Sequence, residues 1–483
     1  MGRRLRLGKG KSPSSTTSST GTSTSTSCSS YGWIKVLIGL VGAVVSISQL
    51  ILLEGNKAAV STSSSAIIDT TSATATQEKL PSPVLPSSVA MKPTKGIPRV
   101  LAIVFPQYHQ DPLNDRLWGP GFTDWDNLRA APLRNRLGFE IPRPLHSHYY
   151  DLTNATVRKW QGQIARQCGV DGFVFHHYWF YDKEEEQQPV LSAPLLAMLQ
   201  DGQPDIPFFL NWCDSSWVDT WLGVTKKHTN NKQGDTVLQT QYFPDENNDD
   251  DAIVAHYQWL RQFFHHPNYI KVAGQPVFMI HQRKPSSYPI LKRLRDLAVA
   301  DGFPSLYFIM GMSFTHAQLF PSGLSQGQRR DRYPKYLVNK TVAYPYPLDW
   351  MERQVLQVPQ WCSIDNEQRI DTELPGILTS FDNTPRRDLE SAHLWSADEP
   401  DRVVQRFSQS LTAAIYYQTC CCLHDNDDND NSDNDSFVLI NSMNEWAEGM
   451  SLEPSTVFGW RLLEAVQRAK ADVIQGGCNA RTT

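Results

Sequence analysis

The sequence lacks the signatures by which several common enzyme classes are recognised. It has no Gly-x-Ser-x-Gly elbow and no His-Glu-x-x-His segment, so serine-hydrolase and zinc-protease readings lose their best support. No Walker loop occurs, and no Gly-x-Gly-x-x-Gly follows the first apolar strand, which counts against an open nucleotide-binding sheet. No Lys/Arg stripe marks the body of the chain and the formal net charge is -5, so nucleic acid is not an expected partner. The 8 cysteines (Cys28, Cys168, Cys213, Cys362, Cys420, Cys421, Cys422 and Cys478) match neither a zinc-ligand spacing nor a small disulfide scaffold. They leave room for one or two disulfides without fixing the partners. Nothing in the chain demands a cofactor or a metal.

What is present divides sharply along the chain. Arg3, Arg4, Arg6, Lys9 and Lys11 precede a Ser/Thr-rich tract and then an apolar run from Trp33 to Leu53, broken by Lys35 and a few small or polar residues. The run is about the length that crosses a bilayer. The basic flank puts the N-terminus in the cytosol and the remainder in the lumen. A single-pass signal anchor is expected over 33–53, after a cytosolic tail over 1–32. A cleaved signal peptide is the rival, because Ala58 and Ala59 follow, but the run exceeds the usual roughly 7 to 15 residues of such a segment. From Ser61 to about Lys95 the chain is Ser/Thr/Ala/Pro-rich and nearly free of aromatics, so a disordered stem is expected over 54–96. Tail, anchor and stem resemble those of Golgi glycan-processing enzymes, with the endoplasmic reticulum as the alternative compartment although no KDEL-type ending is present. The sequons at Asn154, Asn339 and Asn434 would be available there.

From Arg99 the character changes to short apolar runs separated by amphipathic stretches, giving a catalytic domain over 97–472 and a tail over 473–483. Strands are expected at Val100–Phe105, Gly172–Phe175, Pro207–Leu210, Val277–Ile280, Leu306–Met310, Gly376–Ser380 and Phe437–Ile440. Helices are expected at Thr156–Gln167, Ile253–Phe264, Ile290–Ala300 and Arg402–Tyr417. Nearly unbroken apolar strands alternating with helices imply a parallel sheet covered on both faces. Polar and aromatic residues follow almost every strand, as they do in a barrel whose chemistry sits at the strand ends. The fold class expected is therefore α/β, a (β/α)8 TIM-like barrel with loop insertions, and an open doubly wound sheet is the alternative. Acidic stretches at Asp245–Asp251 and Asp425–Asp435 are read as solvated insertions.

The densest chemistry is Asn441-Ser-Met-Asn-Glu-Trp-Ala-Glu-Gly449. Glu445 and Glu448, three apart after an apolar strand, suit a pair of carboxylates that moves protons at a glycosidic bond. A helix-start pair favoured by the macrodipole is the plainer alternative. Asn444 and Trp446 flank them, and Trp446 offers an apolar wall. Tyr108 and His109, with Trp118 and Trp125, mix aromatic faces and polar groups as a sugar pocket would. His176-His177-Tyr178-Trp179 is no metal pair, since neighbours on a strand point to opposite faces, so one histidine lines the site and the other packs outside. His177 is expected to be the inward one, lining the site with Tyr178 and Trp179. Asn211 and Trp212, then Asp382, Asn383 and Arg386, complete the ring, with Arg386 expected to brace Asp382 rather than bind a substrate anion.

These segments resemble the WbsX-type glycosyltransferase family, which is related to glycoside hydrolase family 99, the endo-α-mannosidases. The matching pieces are FPQYHQDPLNDRLWGPGFTDWDN, GVDGFVFHHYWF, PFFLNWC, GQPVFMIH, SFDNTPRR and INSMNEWAEGMSLEP, in family order from about Val100 to Pro454. The resemblance implies a (β/α) barrel and an oligosaccharide or glycoconjugate substrate. It also implies roles: Glu445 deprotonates a sugar 2-hydroxyl that displaces the leaving group, and Glu448 protonates the departing oxygen and later activates water. Two departures stand out. Asn211-Trp-Cys-Asp-Ser-Ser-Trp217 replaces the usual Trp-Ala-Asn-Glu-x-Trp, and Ala447 stands where the mannosidases have His. A nucleotide-sugar-dependent transferase and a catalytically silent glycan-binding module remain the competing functions.

Overall fold

The structure, a computed structural model, describes residues 96–182, 189–218, 237–245, 247–282, 284–312, 337–343, 373–394, 398–421 and 436–478. The apolar run 33–53, nearly all of the stem and the acidic stretch 425–435 lie outside these residues. Among the described residues no helix is long and apolar enough to cross a membrane.

Eight strands form the core: β1 (Arg99–Val104), β2 (Gly172–His177), β3 (Phe208–Trp212), β4 (Gln275–Ile280), β5 (Tyr307–Met312), β6 (Lys340–Ala343), β7 (Glu373–Leu378) and β8 (Phe437–Asn441). All pair in parallel with their neighbours in chain order. The sheet closes where β8 returns to β1, with Leu101 opposite both Gly172 and Leu439. Closure removes both edges, so no row of backbone donors is left open. It also explains the composition of the strands. Each has the barrel interior on one face and helices on the other, so β2, β3 and β8 are buried at every position. The expected sheet is present, with one strand more than the sequence suggested. The additional β6 is four residues long and carries Lys340 and Thr341, too short and polar to read as a buried run.

Helices α1 (Pro112–Trp118) and α2 (Asp124–Ala130) belong to the long loop after β1. Outside the ring lie α3 (Ala155–Gln167), α4 (Ala193–Asp201), α5 (Asp250–Phe264), α6 (Tyr288–Ala300), α7 (Pro400–Tyr416) and α8 (Arg461–Gly476). Their apolar faces set their places. On α7 the buried stripe is Val403, Phe407, Leu411 and Ala414, and on α8 it is Leu462, Val466, Ala469 and Val473. Asn154 caps α3 by accepting from the Thr156 amide at 2.9 Å. The first acidic stretch is not wholly a loop insertion: Asp250 and Asp251 form the first turn of α5, and Asp250 pairs with Arg293 of α6 at 2.6 Å. A disulfide joins Cys420, just past α7, to Cys478, just past α8.

Candidate active site

The polypeptide turns sharply after β8. Asn444–Glu445 pairs antiparallel with Met450–Ser451, and between them Trp446–Glu448 forms one 3-10 turn. Side chains three apart eclipse on such a turn, so Glu445 and Glu448 face the same way. Gly449 ends the turn at φ +66, where a β-carbon would come within 3.0 Å of the Asp382 amide nitrogen. That amide donates to the Glu448 carbonyl at 2.8 Å, joining the turn to the loop after β7.

Several side chains act as fixings rather than as site walls. Asn444 clips the end of β1: its Oδ1 accepts from the Phe105 amide at 2.8 Å and its Nδ2 donates to the Phe105 carbonyl at 3.0 Å. Trp446 is buried against Trp125, and its amide donates to the Tyr108 hydroxyl at 3.0 Å. Below them Glu453 accepts from Tyr150, Gln161 and Trp446 at 2.8, 2.6 and 3.0 Å. Burial raises the Glu453 carboxyl to about 7 even with these three donors.

Arg386 holds the centre. Its Nη2 and Nε donate to Asp124 at 2.9 and 3.2 Å, while Nη1 lies 2.6 Å from Glu448 and 3.5 Å from Glu445. The guanidinium sits 5.0 Å above the Phe105 ring. Burial disfavours its charge, but Asp124, Glu448 and Glu445 together hold the group even more firmly protonated than usual. Burial also pushes Glu445 up, to about 8, with the charge of Glu448 adding to the shift and Arg386 opposing it. Glu448 is raised by burial and drawn back by its shorter bond to Arg386. Burial and the repulsion between the two carboxyls disfavour double ionisation, so a proton taken up here belongs to the pair.

Around this centre the barrel brings together Tyr108, His176, Tyr178 and Asn211. The Tyr108 hydroxyl lies 3.4 Å from Asp124, and burial raises Tyr178, with the neighbouring Cys213 and Glu445 adding to the shift. Asn211 Nδ2 donates to Nδ1 of both His176 and His281, at 3.0 and 3.3 Å.

Other expected site residues lie elsewhere. His177, Trp179 and Trp212 do not line the site. His177 bonds His256 of α5 at 2.8 Å and stacks on Trp259, Trp179 stacks on His256, and Trp212 packs edge-on to the same ring. They form an aromatic seam between the outer face of the ring and α5. His176 therefore faces inward and His177 outward. Arg386 does not brace Asp382, which is held by Asn135 at 3.0 Å and the Thr384 amide at 2.9 Å. Asn383 accepts from the His393 amide at 2.7 Å, a loop contact. His109 is buried with Nδ1 2.8 Å from the Pro106 carbonyl, and Asp111 and Asp151 are the carboxylates it faces. Trp118 is half-buried beside Phe122. Trp125 is core, its Nε1 donating to the Tyr150 carbonyl at 2.7 Å.

Asp124 was the main omission from the sequence reading. It opens α2 within the matched Phe-Thr-Asp-Trp stretch, but its partner Arg386 is 262 residues away. A cleft of about 570 Å³ is lined by Gly449, which ends the turn carrying Glu448, by Ser380 and Asp382 after β7, and by Phe139, Glu140 and Phe458.

The family model for glycosyltransferase WbsX matches residues 100–466. The chain belongs to the WbsX glycosyltransferase family. Two proteins named WxcX, from two strains of Xanthomonas campestris pv. campestris, are each 27% identical over 385 residues, covering 77% of this chain and 49% of theirs. The chain thus spans about half the length of the curated relatives it matches. Among solved structures, a glycoside hydrolase-like protein is 15% identical with a TM-score of 0.45, covering 80% of this chain and 97% of its own. The GH99 endo-alpha-mannosidase of Bacteroides thetaiotaomicron is 12% identical with a TM-score of 0.40, covering 78% of this chain and 98% of its own.

Proposed function

We propose that this WbsX-family protein cleaves or transfers at a glycosidic bond, with Glu445 and Glu448 exchanging one proton in a retaining reaction. The observation that carries the reading is the pairing of both carboxylates on one turn, facing a single guanidinium. Such a pair can protonate a leaving oxygen with one member while the other acts as base or nucleophile. The roles implied by the family resemblance put the donated proton on Glu448. Burial raises both carboxyls while the shorter bond from Arg386 opposes protonation of Glu448, so substrate binding that loosens this bond favours the donor form.

We further propose that the catalytic domain works in the lumen of the secretory pathway, in the Golgi, held by a transmembrane anchor at 33–53. The Cys420–Cys478 disulfide supports an oxidising compartment.

The test is to incubate the full-length protein with a panel of α-mannosyl and other oligosaccharides, with and without nucleotide sugars, and to resolve products by mass. A shortened glycan released without a nucleotide sugar, and lost in Glu445→Gln, supports glycoside chemistry. The family description favours transfer as a second reading. Growth of the glycan only when a nucleotide sugar is present would establish it and end the paired-glutamate proposal.

A further inference from the structure

The C-terminal ends of β2, β3 and β4 bring together three side chains that the proposed reaction does not use. His176, Cys213 and His281 each offer a ligand atom, and these atoms lie within 4.8 Å of one another. His176 and Cys213 are buried, whereas His281 is partly exposed and gives the cluster an approach from solvent. The two histidine rings meet edge to face with centroids 5.3 Å apart.

Asn211 supplies the second, independent observation. It is completely buried, its Nδ2 touches Nδ1 of both histidines, and its Oδ1 has no partner among the described residues. A buried amide oxygen left unbonded costs roughly 1 to 3 kcal/mol. Oxygen and nitrogen of an amide exchange places by a half-turn. With the oxygen facing the rings, it accepts an Nδ1–H from each histidine and leaves both Nε2 lone pairs available. Metal-ligating histidines are held in this way, one ring nitrogen donating to a carbonyl while the other binds the ion.

We propose that His176, Cys213 and His281 bind a zinc-class divalent ion, with Asn211 orienting the two imidazoles. Two nitrogens and one sulfur form a borderline-soft donor set that suits Zn²⁺ in tetrahedral geometry with one position left open. Bond lengths of about 2.0 to 2.3 Å place neighbouring ligand atoms roughly 3.3 to 3.7 Å apart, so the cluster must draw in by about 1 Å. Binding converts the Cys213 thiol to thiolate, and its proton leaves to solvent. The site borders the paired glutamates, because Cys213 and Tyr178 both face the charge of Glu445. The three ligands come from three strands, so no sequence spacing records them.

Cobalt(II) tests the proposal on the full-length protein, stripped of metal, without reference to activity. The expected result is one cobalt per chain, a thiolate-to-cobalt absorption band in the near ultraviolet, and loss of that band when Zn²⁺ is added. Cys213→Ser should abolish the band, while Asn211→Ala should keep it and weaken cobalt binding by about 10- to 100-fold. Wild-type protein that is folded by circular dichroism but gives no thiolate band overturns the site. A band that survives in Cys213→Ser belongs to another cysteine and also overturns it. Neither result bears on the glutamate pair, which the glycan assay tests separately.

Discussion

Arg386 and Asp124 meet through two parallel hydrogen bonds, at 2.9 and 3.2 Å, which orients the guanidinium so that its remaining terminal nitrogen points at Glu448 and Glu445. One buried cation thus serves three carboxyl groups, and its planar fork is what permits it.

Arg386→Lys keeps the charge but not the fork. A lysine reaching Glu448 leaves Asp124 buried without its partner, at a cost of about 3 to 5 kcal/mol for a broken buried pair. Turnover should fall more than about 100-fold and the thermal midpoint should drop. A variant with the wild-type midpoint and rate would show that the fork is dispensable.

Glu448→Gln is nearly isosteric and keeps a hydrogen-bonding group opposite Arg386, but it cannot transfer a proton. Turnover should fall about 100- to 10,000-fold while glycan affinity stays within a few-fold of wild type. Comparing calorimetric binding with product formation checks this, and unchanged turnover removes Glu448 from the reaction.

Thermal stability should peak near the ordinary pKa of a histidine, about pH 6.5. Below it, burial keeps His176, His177, His256 and His281 neutral, with His177 down to about 3 and His281 to about 4. The unfolded chain then binds more protons, so stability falls with falling pH. Above it the order reverses. Glu453 at about 7 and Glu445 at about 8 hold protons that the unfolded chain has released, and stability declines as pH rises through those values. Calorimetric midpoints from pH 5 to 9 measure both limbs. Glu453→Gln should flatten the alkaline limb, and a midpoint climbing steadily to pH 8 would contradict the carboxyl assignment.

The disulfide closes a loop spanning 58 positions, for which removal typically costs about 2 to 4 kcal/mol. Cys420→Ser should lower the midpoint of oxidised protein to near that of wild-type protein treated with a reductant. Equal midpoints for all three samples would mean that the bond contributes nothing to stability.

Seven of the eight strands and the Glu445/Glu448 pair were legible because apolar runs ending in polar residues survive any choice of topology. The inward histidine was not. Alternation says that His176 and His177 face opposite ways, but with both faces of β2 buried nothing in the pattern gives the phase. Trp179 and Trp212 misled for a related reason, since aromatic residues suit a sugar face and a strand–helix seam equally well. Arg386 was assigned to Asp382, its neighbour in sequence, because its true partners Asp124, Glu445 and Glu448 become neighbours only when β8 closes against β1.

The Asn444 clip on Phe105 spans 339 positions, and with it the timing of synthesis enters the picture. A chain emerging from the ribosome presents Tyr108, Asp124 and His176 long before Glu445 exists. Until the last strand arrives the ring has two open edges and no paired carboxylates, so the growing chain passes through a long interval in which it can aggregate but cannot act. Activity should therefore appear all at once with barrel closure, and a messenger truncated anywhere upstream of Glu453 should yield protein fit only for quality control.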